Sequence, residues 1–568
     1  MRPLGGGGDS SSSRRPRVPE PGGPRIGSLA LEPTIVARAL CGLALAACVA
    51  AAASEPAHEC PTILQVRVDQ IRNSAPVQIS GETIASVVVL PDFYERRGFR
   101  PAWTEAQTRT DLLAALRGSA GDGLDPRDYH VAALDKLLHS SSSPESDADF
   151  DMLATDGVIR LAYHLRFGKV DQATVEPDWK FLPDLEAAIS GPPALVLERM
   201  LDEHRVAAVL DSLRPQHRMY GALRRALQTY RDIEAAGGWK SLPEGPTLRP
   251  GEEDSRLPAL RQRLAVEGET TSPPLESTVV YDSVLVTAVR NFQERHGLNP
   301  DGVLGKGTLQ ALNVPVAIRI SQLRCSLERG RLLLQDLPAR FVLVNIPGFR
   351  VYYVDEGRTR FVSKVIVGKA FTQTPIFRAE MTYVVLNPSW TIPPGIMKSD
   401  VIPGMRRDPH YLERKGYQEV GGQIVQPPGP NNPLGRLKLM FPNPHSVYLH
   451  DTPQRNLFAA EGRTFSHGCI RVEGIVDLAV LVLDDSVNWS KEKVEAALAT
   501  GRTQNVTLKR PIPVLLTYWT AVVGPGDDWP RFYDDVYGRD AAFLAALDRP
   551  FQFQPRVVSR AAAVSGAR

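Results

Sequence analysis

Phe341-Val-Leu-Val-Asn-Ile346, Phe349-Arg-Val-Tyr-Tyr-Val354 and Phe361-Val-Ser-Lys-Val-Ile-Val367 decide the fold of the C-terminal half of this chain. All three are rich in β-branched and aromatic residues, which suit a pleated, half-buried surface. Asp355-Glu-Gly357 supplies a turn between the second and third runs, and Gly368 closes the third. Thr382-Tyr-Val-Val-Leu386, Ser446-Val-Tyr-Leu449 and Val514-Leu-Leu-Thr-Tyr518 continue the series. An all-β domain spanning residues 339–540 is the economical reading. Pro, Gly and charged residues crowd the stretch from Pro393 to Gly435, with Gln426-Pro-Pro-Gly-Pro430 inside it. An insertion of that length in a compact domain points to function.

Before this domain the apolar period is helical. In residues 255–315, Leu257, Leu260 and Leu264 share one helix face, with Pro258 in the first turn and Asp254-Ser255 as the expected cap. Leu285, Ala288, Val289 and Phe292 fall at i, i+3, i+4 and i+7 of a second helix. The turn His296-Gly-Leu-Asn-Pro-Asp-Gly302 leads to a third helix with Thr308, Leu309 and Leu312. Residues 54–250 are expected to form a helical scaffold. Asp111-Leu-Leu-Ala-Ala-Leu116 and Val158-Ile-Arg-Leu-Ala-Tyr-His-Leu165 carry its pattern, and no catalytic motif stands out there.

The N-terminal residues 1–53 read as an unstructured lead rich in Gly, Ser, Pro and Arg, then an apolar run after Arg38 ending in small residues at Ala53. That pattern predicts export through a signal segment. Cleavage near Ala53, lipidation at Cys48 within Leu45-Ala-Ala-Cys48, and retention as an anchor are three fates left open, so membrane attachment is part of the expectation. The tail 541–568 is expected to be helical at first and unstructured in its Ala-rich end, 556–568.

With 568 residues the chain needs several hydrophobic cores. A hydrophobic content of 43% and a charged content of 23% suit a globular protein. The formal net charge of +2 excludes the basic footprint of a dedicated nucleic-acid binder. The five cysteines, Cys41, Cys48, Cys60, Cys325 and Cys469, include no C-x-x-C pair, which speaks against a cysteine-rich zinc site. A Cys60–Cys325 disulfide is compatible with export but unsupported by spacing.

The chemistry concentrates in Ser466-His-Gly-Cys-Ile-Arg-Val472, preceded by Val447-Tyr-Leu-His-Asp-Thr-Pro453. Thiolate is the reactive form of cysteine, and a neighbouring histidine takes its proton or stabilises it. Gly468 lets the backbone turn sharply beside Cys469, and peptide N–H groups of Cys469, Gly468 or His467 are candidate oxyanion donors. His450, at a strand end, is the better base, because His467 lies too near Cys469 in sequence to face it freely. The Asp451 carbonyl is a candidate for fixing the His450 tautomer. Spacing alone leaves two alternatives open: Cys469 as a small buried hydrophobe, or a zinc site made from His450, His467 and Cys469. Trp390 is read as a cleft or core residue; His410 and His445 as surface or structural.

This region resembles the YkuD-type L,D-transpeptidase family. The strings that carry the resemblance are Val344-Asn-Ile-Pro347, Lys364-Val-Ile-Val-Gly-Lys369, Thr374-Pro-Ile-Phe377, Asn387-Pro-Ser-Trp-Thr-Ile-Pro393, Phe441-Pro-Asn443, Tyr448-Leu-His-Asp-Thr452 and Ser466-His-Gly-Cys-Ile-Arg471. Residues 289–313 resemble a three-helix peptidoglycan-binding domain. The whole chain is similar to the large multidomain branch of the family. The resemblance implies a multidomain α + β protein: helical scaffold, three-helix wall-binding module and a mostly β catalytic domain whose insertion, 393–435, caps the substrate.

It also implies Cys469 as nucleophile and His450 as proton donor and acceptor. Ser466, His467, Gly468 and Arg471 complete the motif, Arg471 as loop support or a partner for a substrate carboxylate. The implied reaction joins peptidoglycan stem peptides through a cysteine thioester without cofactor or metal, and carbapenem-type inhibitors are expected to acylate the thiol. Carboxypeptidase or endopeptidase activity from the same pair, and a non-catalytic wall-binding protein, are the competing readings.

Overall fold

The computed structural model describes residues 59–73, 76–176, 197–198, 201, 205–269, 278–524 and 526–551. The expected signal or anchor segment with Cys48, and the tail 556–568, lie outside the described residues. None of the described helices is long and apolar enough to cross a membrane.

The N-terminal region is helical, as its period predicts. Its main helices are α1 (Glu59–Asn73), α2 (Ala106–Arg117), α3 (Pro144–Phe167) and α4 (Arg218–Ala235). Ser143 starts α3: its Oγ accepts from Ser146 N at 3.1 Å, its N donates to Ser146 Oγ at 2.8 Å, and Pro144 takes the first turn. Leu112, Leu113 and Leu116 of α2 bury against Leu153, Leu161 and Leu165 of α3 in one core. Asp151 and Asp156 on α3 are also buried, and each ties down a loop. Asp151 accepts from the Ala102 and Trp103 amides, and Asp156 from those of Ala85 and Ser86.

Three helices make the next module: α5 (Leu257–Val266), α6 (Ser283–Arg295) and α7 (Lys306–Leu312). Their core holds the predicted Leu257, Leu260, Leu264, Leu285, Ala288, Val289, Phe292 and Leu312. The cap of α5 differs from the expectation. Arg256 occupies the N-cap position with no side-chain cap, and Asp254 instead accepts from the Arg256 amide and pairs with its guanidinium, closing a local turn.

Helix α8 (Val316–Leu333) joins the regions. It is buried along most of its length: Leu323 and Leu327 share a core with Tyr220, Leu223 and Leu227 of α4 and with Leu343, Leu515 and Trp519 of the β domain. Of its buried charges, Arg331 pairs with Glu328 and Arg329 with Asp540 at 2.6 Å, while Arg319 donates to Gln322 Oε1 and the Ala311 carbonyl. Cys60 and Cys325 are both buried and free, so no disulfide links them.

The β domain is built on β1 (Phe341–Asn345), β2 (Arg350–Asp355), β3 (Arg358–Gly368), β4 (Phe377–Leu386), β5 (Leu437–Met440), β6 (Leu449–His450), β7 (Thr464–Ser466), β8 (Ile470–Val472) and β9 (Gln504–Thr517). The strand order is β7-β3-β8-β6-β5-β4-β9-β1-β2, and β2 also bonds to β3. Strand β3 pairs with β2 over residues 358–364 and with β8 over 365–366, so the ladder rings back on itself and leaves only β7 outside the ring. Alternate residues point inward: Val342, Val344, Val365, Val367, Leu437, Leu439, Leu449, Ile470 and Val472 are buried together.

The domain is not all-β. Helices α9 (Ile475–Leu483) and α10 (Lys491–Ala499) add Ile475, Leu478, Val482, Val494 and Leu498 to that core. Ile475-Val-Asp-Leu-Ala-Val-Leu-Val-Leu483 is β-like in composition; packing against the sheet overrides that propensity. Within the expected insertion lie short helices from Pro394 to Lys415 and the strand Gln423–Gln426, which pairs with Trp390–Thr391 and Gln418–Val420. It has its own small core of Ile392, Val401 and Tyr411, against which Trp390 and Tyr417 pack. Trp390 is thus partly buried against the core of the inserted lobe.

Candidate active site

Strands β6 and β8 lie parallel, with Leu449 opposite Ile470 and His450 opposite Arg471. Leu449 and Ile470 point into the core and are fully buried. Alternation therefore sends His450 and Arg471, with Tyr448 and Cys469 one step further along, to the opposite face. Antiparallel β5 adds Lys438, opposite His450. The Tyr448 and His450 rings meet edge to face with centroids 5.7 Å apart, and Lys438 Nζ lies 5.2 Å from the centre of the Tyr448 ring.

The thiol sits between β7 and β8 on a tightly held bend. Ser466 Oγ donates to the Cys469 carbonyl at 2.6 Å and accepts from the Gly468 amide at 3.1 Å. Thr374 Oγ1 donates to the Gly468 carbonyl at 2.9 Å and accepts from the Gly368 amide at 2.9 Å. The Ser466 carbonyl accepts from the Lys369 amide at 3.0 Å and from Thr372 Oγ1 at 3.2 Å. Gly468 has φ +114°, a conformation that L side chains rarely adopt. At Gly368 a Cβ would collide with the Thr372 carbonyl, so glycine is what lets the 369–374 turn close on the motif.

His450 is buried, 4% exposed, and Nδ1 lies 2.6 Å from the Asp451 carbonyl. A carbonyl only accepts, so Nδ1 carries the hydrogen and Nε2 is the basic nitrogen. Burial, then the positive charges of Arg471 and Lys438, hold the imidazole down to about 3, against the opposing pull of the Asp451 and Leu434 carbonyls. The ring is therefore neutral at neutral pH. Asp451 is anchored in turn: its carboxylate accepts from the Arg436 amide and pairs with Arg455, both at 2.9 Å.

Cys469 is partly exposed and free. Burial pushes its thiol up, while the Tyr448 amide and hydroxyl and the charges of Lys438 and Arg471 pull it down. Sγ donates to the Ser446 carbonyl at 3.6 Å. His450 and Cys469 share the face, and no hydrogen bond joins them in this structure.

Of the other predicted residues, Ser466 and Gly468 shape the bend. Arg471 Nη1 donates to Gln454 Oε1 at 2.8 Å, bracing the segment after β6. His467 is exposed, and burial followed by Lys369 and Arg471 lowers its imidazole. His410 lies on the surface against Glu413, and the His445 ring meets that of Phe377 at a tilt, centroids 5.0 Å apart. Among the described residues no group of three His, Cys, Asp or Glu side chains is arranged to hold a metal, so the His450–His467–Cys469 alternative does not assemble.

The motif reading missed four residues. Lys438 and Tyr448 were legible in principle: Tyr448 is two residues before His450, and Leu437-Lys-Leu-Met440 alternates as a strand. Thr374 had been quoted without a role. Tyr537, whose hydroxyl donates to the Gly368 carbonyl at 2.7 Å and accepts from the Thr374 amide at 3.2 Å, reaches the motif from distant sequence and left no local signal.

Comparison with known proteins gives matches over three segments of the chain. Residues 339–496 match the family described as "L,D-transpeptidase catalytic domain", residues 253–312 "Putative peptidoglycan binding domain" and residues 89–227 "Scaffold domain". A "Putative L,D-transpeptidase" of Haemophilus influenzae is 31% identical over 221 residues, which is 35% of this chain and 44% of the relative. The chain thus spans less than half the length of that relative. Among solved structures, an L,D-transpeptidase from Stackebrandtia nassauensis is 14% identical over 49% of this chain and 96% of its own, with a TM-score of 0.22. One from Xylanimonas cellulosilytica is 15% identical over 48% and 99%, with a TM-score of 0.16. Scores that low carry no argument, and the assignment rests on the family matches and the site. The chain carries an L,D-transpeptidase catalytic domain of the YkuD type, together with a scaffold domain and a peptidoglycan-binding-type domain.

Proposed function

We propose that this protein cross-links peptidoglycan stems by acyl transfer through Cys469, with His450 moving the protons. The observation that carries the reading is a partly exposed thiol on a rigid bend, sharing a face with a neutral histidine whose Nδ1 is already committed. For proton transfer the thiol leaves the Ser446 carbonyl and turns to the free His450 Nε2 lone pair on the same face. Sulfur attacks the carbonyl carbon of the third stem residue, and its proton passes to Nε2. That proton then goes to the amide nitrogen as the C–N bond breaks, releasing D-alanine and leaving a thioester. A side-chain amine of a second stem attacks the thioester and gives a proton to His450, and the sulfur leaves and is reprotonated. The energy of the donor amide is kept in the thioester, so no nucleotide is consumed.

The oxyanion needs donors that are not otherwise engaged. The Gly468 amide is bound by Ser466 Oγ, whereas no hydrogen bond takes up the Cys469 amide among the described residues. The Cys469 N–H is therefore the assigned donor, and Gly468, Ser466, His467 and Arg471 shape and brace the loop. The peptidoglycan-binding-type module and the apolar N-terminal run support work in the cell envelope, outside the cytoplasmic membrane, with the wall as partner. A reporter that fluoresces only in the cytoplasm, fused after Arg568, should stay dark; bright cells with an intact fusion overturn the location.

Supplying a tetrapeptide-stem donor with a diamino-acid acceptor tests the activity. Cross-linked dimer with released D-alanine is expected. D-alanine without dimer turns the assignment to a hydrolase, and neither product, with no thiol labelling at neutral pH, to a binding protein.

A further inference from the structure

His450, neutral and buried, is not the permanent cation that a stored thiolate needs, so positive charge on this face has to come from elsewhere. Lys438 is half-buried on β5 in register with His450. Its ammonium lies over the Tyr448 ring, and the Tyr448 hydroxyl lies against the Cys469 thiol. No hydrogen bond or carboxylate engages Lys438 among the described residues, although the neighbouring cations Arg436, Arg455 and Arg471 each have a side-chain partner. A half-buried ammonium without a counterion is costly unless it meets negative charge at some stage.

We propose that Lys438 is a positioning residue for the nucleophile: through the Tyr448 ring and across the shared face it stabilises the Cys469 thiolate that forms on attack. This rests on the reading of Cys469 as nucleophile and adds the source of the field around it. A cation over a phenol ring also strengthens the hydroxyl as a donor to sulfur. The other titratable or charged groups around the thiol are Tyr448 just before β6, His450 on β6, Arg471 on β8, His467 in the bend and Lys369 in the turn after β3. Arg471 also bears on the sulfur, but its guanidinium is tied to Gln454, whereas Lys438 has no hydrogen-bond partner among the described residues. Burial lowers the Lys438 ammonium and Cys469 raises it, the mutual coupling this role requires.

The test is the pH profile of iodoacetamide alkylation at Cys469, read by peptide mass mapping so that the buried Cys60 and Cys325 are scored separately. Lys438→Met should move the midpoint up and slow alkylation at neutral pH roughly tenfold, one unit of thiol titration. Lys438→Arg should restore most of the wild-type profile. Thermal melts of both variants are compared with wild type, and if Lys438→Met melts early, Lys438→Gln takes its place. A neutral variant that melts normally and whose profile superimposes on wild type overturns the proposal; so does failure of Lys438→Arg to recover. Alkylation needs no stem peptide. A shifted profile in a protein that makes no cross-links would sustain this inference while the transpeptidase reading fell.

Discussion

His450 and His467 both stand near Cys469, and their surroundings assign them different work. His450 is buried with Nδ1 tied to the Asp451 carbonyl, while His467 is exposed on the bend. His450→Gln should keep the fold and lower acylation by about a hundred- to ten-thousand-fold. Part of the loss should return as pH rises and deprotonates the thiol directly. His467→Gln should cost far less. If single-turnover acylation instead shows His467→Gln dead and His450→Gln near normal, the two roles are exchanged. A His450 held at about 3 also predicts that acylation has no acid limb in the ordinary histidine range, which a pH–rate profile reads directly. A carbapenem, as a strained acyl donor, should add once per chain on the Cys469 peptide, and an adduct that persists in Cys469→Ala counts against this nucleophile. The Asp451 carbonyl at His450 was legible, because it follows from adjacency. The engagement of Gly468 N–H by Ser466 was not: it depends on how the bend folds over its own first residue.

At the scale of the element, the reactive bend is a short link between β7 and β8 held from outside by the turn after β3. Gly468→Ala places a Cβ at φ +114° and should slow alkylation and acylation together, with little change in global melting. Tyr537→Phe leaves the Gly368 carbonyl and Thr374 amide without their partner, at a cost of about 1–3 kcal/mol. A lowered melting temperature with the adduct still on Cys469 is the expected result; an unchanged melt would show that the bridge contributes nothing. The longer strands were readable because five or more alternating residues carry a period. The run expected at Ser446–Leu449 is a strand only at Leu449–His450, and β7 and β8, three residues each, exist through their neighbours, so the pattern could not announce them. The first half of β9, Gln504 to Lys509, hides behind polar residues on its exposed side.

Across the whole molecule, the peptidoglycan-binding-type module is fastened to its surroundings by buried charge. Glu267 on the segment after α5 accepts from the Tyr230 hydroxyl of α4 at 2.7 Å and pairs with Arg263 at 2.7 Å. Burial opposes its charge, yet the Arg263 and Arg295 guanidiniums hold its carboxyl down to about 2. Glu267→Gln leaves Arg263 buried without its counterion, a loss of about 3–5 kcal/mol that a thermal melt should show plainly. His164, His296 and His450 are all buried with depressed imidazoles, so acid favours the unfolded chain, where they protonate at ordinary values. The stability they contribute is complete above about pH 7 and is lost as pH falls below it. Melting should drop between about pH 7 and about pH 5, and His296→Phe should narrow the gap. The succession of helical scaffold, three-helix module and mainly β domain was legible from the change of period. The buried helix α8 and the Glu267 junction were not: Arg263–Glu267 and Glu328–Arg331 are ordinary local spacings, and the partners that bury them, Tyr230 at Glu267 and Asp540 at Arg329, come from distant sequence. The claim on which the rest depends is acyl transfer through Cys469, and its most direct test is mass mapping of the enzyme during turnover of a tetrapeptide-stem donor. The account predicts an acyl adduct on the Cys469 peptide that disappears as amine acceptor is added and dimer forms, with neither species from Cys469→Ala. Dimer formed by Cys469→Ala, or an adduct mapped to another residue, would contradict it.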